Sequence, residues 1–132
     1  MGAPEGGFLQ IGQVAERTEL SLKTIRHYDE VGLVQPSARS AGGFRLYTDT
    51  DVDRLLVIRR MKPLGFTLAE MTQLLDALDI LADPDADAAR RDQARVFVDE
   101  MHAQARERCA ALARQLAYAE EFTALLATHT RH

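Results

Sequence analysis

Hydrophobic positions fall in short clusters up to about residue 82 and in one long stripe beyond it. In "LQIGQVAERT", Ile11, Val14 and Ala15 share a face at helical spacing, which predicts a short amphipathic helix over about 10 to 17. A turn through Thr18 to Leu20 leads to Ser21, a suitable N-cap. A second helix is predicted over about 22 to 30, with Leu22, Ile25 and Tyr28 directed inward. Lys23, Arg26, His27 and Glu30 then share its outer face. Two short apolar helices joined by a tight turn match the helix-turn-helix pattern, whose second helix enters the DNA major groove.

From Val34 to Tyr47 the period changes. Extended residues, Pro36, a polar loop and Gly42-Gly43 precede the alternating "FRLYT". This predicts a two-stranded wing with Phe44 and Leu46 on one side and Arg45 and Tyr47 on the other. "TDTD" and "TLAE" each open a helix with Thr at the N-cap and an acid, Asp51 or Glu70, three residues on to reach back to the cap amide. Val52, Leu55 and Leu56 mark the core face of the third helix, which Pro63-Leu64-Gly65 ends. Met71, Leu74, Leu75 and Leu78 mark the fourth, closed by Asp83-Pro84.

From about Ala88 to Ala127 there is no Gly or Pro, and strong helix formers dominate, so one long helix is predicted. Val98, Met101, Ala105, Cys109, Leu112, Leu116, Ala119, Phe122 and Leu126 recur along it at a mean step of 3.5 residues, the coiled-coil period. Such a seam requires a partner helix, most simply that of a second copy in a homodimer.

Charge refines this picture. The chain of 132 residues carries a net charge of −4, yet residues 8 to 62 hold nine Lys and Arg against seven acids, and residues 63 to 132 hold seven against twelve. An acidic average therefore does not exclude nucleic-acid binding at the N-terminal end. The length suits one domain with an extended appendage and argues against a large catalytic fold. No apolar run is long enough for a membrane span, "MGAPEGGF" lacks the regions of a signal peptide, and the lone Cys109 permits no disulfide within the chain. A cytoplasmic protein is expected. Dinucleotide and P-loop glycine motifs and a paired His-Glu zinc helix are missing, and "DPDADAARRD" suits a solvated linker and helix start better than a calcium loop. Neither an enzyme nor a cofactor is expected.

The stretch "IGQVAERTELSLKTIRHYDEVGLVQPSARSAGGFRLYTDTDVDRLLVIRRMKPLGFTLAEM" resembles the DNA-binding domain of the MerR family of bacterial transcription regulators over about residues 9 to 75, most specifically in "TIRHYDEVGL", "GGFRLY" and "RRMKPLGFTLAEM". The resemblance implies a mainly α fold, a winged helix-turn-helix domain followed by a long helix that forms an antiparallel coiled coil in a homodimer. The expected division is a flexible 1–8, a DNA-binding domain 9–82, a linker 83–87, a dimerisation helix 88–127 and a frayed tail 128–132. It implies binding to double-stranded promoter DNA whose spacer is overlong. Bending and untwisting that spacer lets RNA polymerase engage both promoter elements.

Carried over residue by residue, Lys23 and Arg26 would meet the major groove, with His27 close to the DNA backbone. Arg39, Arg45 and Tyr47 would be wing contacts to phosphates, and Lys62 would add another. Tyr28 and Phe44 are read as core, and Arg54, Arg59 and Arg60 as surface charges, some of them partners for Asp51 and Asp53. The chain departs from the family at Glu19, where Gly is common at a turn, and at Phe44, where Tyr is common. Metal-sensing relatives carry cysteines at the start of the long helix and after it, whereas "DADAARRDQ" and "LLATHTRH" have none, and His129 and His132 lie at the chain end. No metal site is expected. Regulation is left to a small effector, to protein abundance, to a protein partner or to thiol chemistry. A DNA-architectural protein of the excisionase type is the alternative, and the long dimer arm argues against it. In an antiparallel pairing of helices 88–127 the two-fold axis crosses near residue 107 or 108, which brings the two Cys109 side chains together.

Overall fold

A short strand, β1 (Leu9–Gln10), runs directly into α1 (Ile11–Thr18), and α2 (Leu22–Glu30) follows a three-residue turn in this computed structural model, which describes residues 7–130. Strands β2 (Ala38–Arg39) and β3 (Arg45–Tyr47) form the wing, then come α3 (Asp49–Met61), a 3-10 turn at Lys62–Leu64, α4 (Leu68–Ala82) and α5 (Ala88–Ala127). The contacts divide the chain into two units between Asp76 and Ala77.

In the first unit the sheet has three strands rather than the expected two. Its order is β1-β3-β2, antiparallel, with Leu9 opposite Tyr47 and Ala38 opposite Leu46. A two-residue strand paired across 38 positions has no local periodicity to announce it, so only the wing hairpin could be foreseen. Placing β3 in the centre puts Tyr47 in the core beside Val14, Ile25, Val52, Leu55 and Ile58.

Polar side chains close the turns. Glu19 ends α1 in the left-handed region, φ 58° and ψ 24°, with its amide on the Ala15 carbonyl at 2.9 Å. A side chain there is strained by about 1–2 kcal/mol. The buried Thr18 hydroxyl donates to the Val14 carbonyl at 2.8 Å, and Arg59 reaches from α3 to the Thr18 carbonyl at 2.6 Å. Arg59 therefore braces the helix-turn-helix corner and is no partner of Asp51 or Asp53. Asp51 is itself buried. Its Oδ2 accepts from the Thr48 amide at 2.9 Å in a capping box, and from the Ser37 amide and hydroxyl at 3.2 and 2.6 Å, so one carboxylate caps α3 and ties down the loop after α2. Thr67 and Glu70 make the second reciprocal cap at the start of α4. Between those helices Gly65 takes φ 76°, a conformation that side chains resist.

The second unit holds the end of α4 and the whole of α5, capped by Asp87, whose side chain accepts from the Arg90 amide at 2.8 Å. Leu78, expected in the core face of α4, is exposed. Along α5, Met101 is buried and Val98 and Ala105 are half-buried, whereas Cys109, Leu112, Leu116 and Ala119 are exposed. Among the described residues no helix is long and apolar enough to cross a membrane.

Candidate nucleic-acid interface

The rotation of α2 about its axis is set by what it buries. Ile25, Tyr28 and Asp29 are buried, and the helical step of about 100° per residue then leaves Lys23, Arg26 and His27 on the exposed side. Ser21 caps the helix by accepting from the Thr24 amide at 3.0 Å. Leu22, expected to point inward, is exposed instead, because it is the first residue of the helix and lies beyond the buried stripe.

The wing is fastened to α2 by one carboxylate. Asp29 is only 7% exposed, and its Oδ2 accepts from Arg45 Nε at 2.7 Å and from Arg39 Nη2 at 3.0 Å. Arg39 also reaches the Gly43 carbonyl through Nη1 at 3.4 Å. The hydrogen bond to Asp29 raises the Arg45 pKa above its ordinary value, so this guanidinium stays charged. Arg45 and Arg26 line one cleft of about 190 Å³ together with Gln10, Ile11, Gly12, Gly43 and Phe44. The second helix, the wing and the start of α1 thus converge on a cationic notch whose charge suits nucleic acid. Lys62 is exposed on the 3-10 turn, and Lys23 and His27 on α2, all outside that notch.

Two wing residues exchange the roles expected of them. Tyr47, read as a phosphate contact, is fully buried, and its hydroxyl has no hydrogen-bond partner. Burial raises its pKa, and the nearby Asp29 charge adds to the effect. Phe44, read as core, is 72% exposed. The loop from Ser40 to Phe44 explains the exchange. The Ser40 amide donates to the Phe44 carbonyl at 2.9 Å and Gly43 takes φ 85°, so Phe44 belongs to the turn and the alternation begins only at Arg45. Asp29 escaped notice in the sequence. An acid in the last turn of a helix, where the dipole disfavours negative charge, was the available signal.

Among the described residues no group of three His, Cys, Asp or Glu side chains could hold a metal ion, and His132 lies outside them.

Comparison with known proteins identifies related families and chains. A family model described as MerR HTH family regulatory protein matches residues 9–78, and one described as MerR, DNA binding matches residues 52–121. The sequence is 46% identical over 81 residues to the HTH-type transcriptional activator TipA of Streptomyces coelicolor, covering 61% of this chain and 31% of that protein. It is 34% identical over 118 residues to the HTH-type transcriptional regulator HmrR of Sinorhizobium medicae, covering 89% of this chain and 71% of that one. The crystal structure of a MerR-family transcriptional regulator from Bacillus cereus aligns with a TM-score of 0.56 at 29% identity, over 95% of this chain and 87% of that chain. The chain therefore spans less than a third of TipA's length and most of HmrR's. These matches are to transcription regulators, which disfavours both an enzyme and the excisionase alternative.

Proposed function

This chain belongs to the MerR family of helix-turn-helix regulatory proteins, and we propose that it regulates transcription as a homodimer on double-stranded promoter DNA in the cytoplasm. Each protomer inserts α2 into a major groove, where Lys23 and Arg26 read base edges and His27 lies close to the backbone. Arg39 and Arg45 of the wing, with Lys62, hold phosphates and set register. The α5 seams pair antiparallel, so the spacing between half-sites is fixed by the protein. Bending and untwisting the intervening spacer brings both promoter elements into line for RNA polymerase, and the sequence of the uncontacted centre is felt through its stiffness.

The observation that carries this reading is the convergence of Arg26 from α2 and Arg45 from the wing on one cleft. The exposed Leu112, Leu116, Phe122 and Leu126 of α5 support the dimer, since burying such a side chain is worth about 1.5–3 kcal/mol. Footprinting on the DNA upstream of the protein's own gene, combined with a gel assay of bending, tests the proposal. Protection centred in an overlong promoter spacer, with a bend at its middle, is the expected result. Protection confined to sites without promoter elements would reject it.

A further inference from the structure

We propose that Asp29 is the positioning residue of this DNA interface: it holds both wing arginines in the orientation that meets phosphate, and so couples the recognition helix to the wing. The inference rests on the DNA-binding reading above and deepens it.

Arg39 and Arg45 are directly opposite each other in the β2/β3 register. Like charges in that relation repel. Asp29 answers the repulsion from beneath, taking one N–H from each guanidinium on a single oxygen. A buried carboxylate is tolerated only when charge-assisted hydrogen bonds replace its water, so the tie constrains both partners. Because Arg45 is gripped through Nε, its two Nη nitrogens keep no partner among the described residues. They form the planar fork that matches two phosphate oxygens, fixed in place before DNA arrives. Arg39 is held at both ends, by Asp29 and by the Gly43 carbonyl of the wing turn.

Charge and position make opposite demands here, which makes the role testable. Two arginines against one aspartate leave a single net positive charge, so Asp29 reduces the plain electrostatic attraction to DNA. If only charge mattered, Asp29→Asn would bind every duplex more tightly and with a steeper salt dependence. Positioning requires the reverse for the cognate site. Anisotropy titrations of the full chain, across a salt series, would compare a footprinted promoter fragment with a random duplex of equal length. For Asp29→Asn we expect promoter affinity to fall about tenfold, the scale of a lost charged hydrogen bond, while affinity for the random duplex is unchanged or higher. In an Arg39→Ala/Arg45→Ala background the same substitution should change promoter affinity by less than about twofold, since it acts through those side chains. Arg45→Lys leaves the buried carboxylate in place and serves if Asp29→Asn folds poorly: it should lose promoter affinity about as Arg45→Ala does, yet keep the wild-type salt slope. Undiminished promoter binding by Asp29→Asn or by Arg45→Lys would overturn the proposal, as would a full tenfold loss persisting without the arginines. A wild-type chain with no salt-dependent DNA binding would remove the functional reading as well, whereas normal wild-type binding with additive losses would remove only the role of Asp29.

Discussion

The wing with α2 and the C-terminal half of α5 treat their side chains in opposite ways. Around the wing, the two buried carboxylates are satisfied inside the chain: Asp29 takes two arginines and Asp51 takes three donors, while Tyr47, Ile25 and Leu55 are fully or almost fully buried. Along α5 beyond Cys109, Leu112 is 41% exposed and Leu116 and Phe122 are each 59% exposed, although they repeat at regular spacing. The first region is complete within one chain. The second is a regular helix whose apolar stripe has no cover among the described residues, and the proposed second copy would supply it. In the proposed dimer DNA recognition depends on both, because the first region would supply the contacts and the second would set how far apart two sets of contacts stand.

The largest effect should come from breaking the second region. Leu112→Asp/Leu116→Asp sets charges in the seam and should yield a monomer by sedimentation while the circular dichroism of the N-terminal fold persists. Losing the link between two half-sites should weaken promoter binding by at least about 100-fold, the lower range of avidity gains. A stable monomer of the unmodified chain would undo the comparison. The same dimer predicts that the two Cys109 residues lie close to the two-fold axis. A short bifunctional thiol reagent should link them, and Cα atoms further apart than about 12 Å, well past the disulfide range, would move the crossing point elsewhere.

Within the first region, Arg26 and Arg45 should separate reading from holding. Arg26→Ala is expected to lose about 1–3 kcal/mol of discrimination between cognate and random duplexes. Arg45→Ala should weaken both and lower the salt slope by about one counterion. Equal, salt-independent losses would show that the two arginines do not divide the work in this way.

How much of this could be read beforehand follows the same division. The bounds of α5 agree with the predicted 88–127 because a run without Gly or Pro, rich in helix formers, decides its own conformation locally. The reciprocal caps at Thr48 and Thr67 were equally local. The wing was only partly readable, since its residues are placed by pairings distant in sequence. Tyr47 is buried by β1 and the helices behind it, Phe44 is turned out by a loop hydrogen bond, and Arg39 and Arg45 are directed by an aspartate on another element. Residue type and alternation identified the wing without revealing which face each side chain took.

Glu19 offers a smaller test of a local feature that the sequence did disclose. Glu19→Gly relieves the left-handed strain, but it adds freedom to the unfolded chain and removes the long 3.9 Å contact between the exposed Glu19 and Arg59. Strain relief of about 1–2 kcal/mol, less the glycine entropy of roughly 0.5–1 kcal/mol, leaves a net gain of roughly 0 to 1.5 kcal/mol in urea unfolding. A loss would show that the turn prefers its native side chain.

Tyr47→Phe should have the smallest effect, and it tests whether the buried or the DNA-facing assignment of this residue is right. At neutral pH the substitution deletes a buried hydroxyl that has no partner, so stability should hold or rise slightly, and promoter affinity and its salt slope should stay as in the wild type. The difference between the two proteins emerges in alkali. Burial raises the Tyr47 pKa in the folded chain, and the Asp29 charge raises it further. Below the unfolded value of about 10 both states keep the proton and stability does not depend on this group. As pH climbs past that value the unfolded chain ionises first, so the wild type loses stability progressively up to the folded pKa. Urea unfolding at neutral pH and just above pH 10 should therefore show a steeper decline for the wild type than for the phenylalanine variant. Parallel declines, together with weaker promoter binding and a shallower salt slope, would instead mean that the hydroxyl turns outward to a phosphate when DNA is bound.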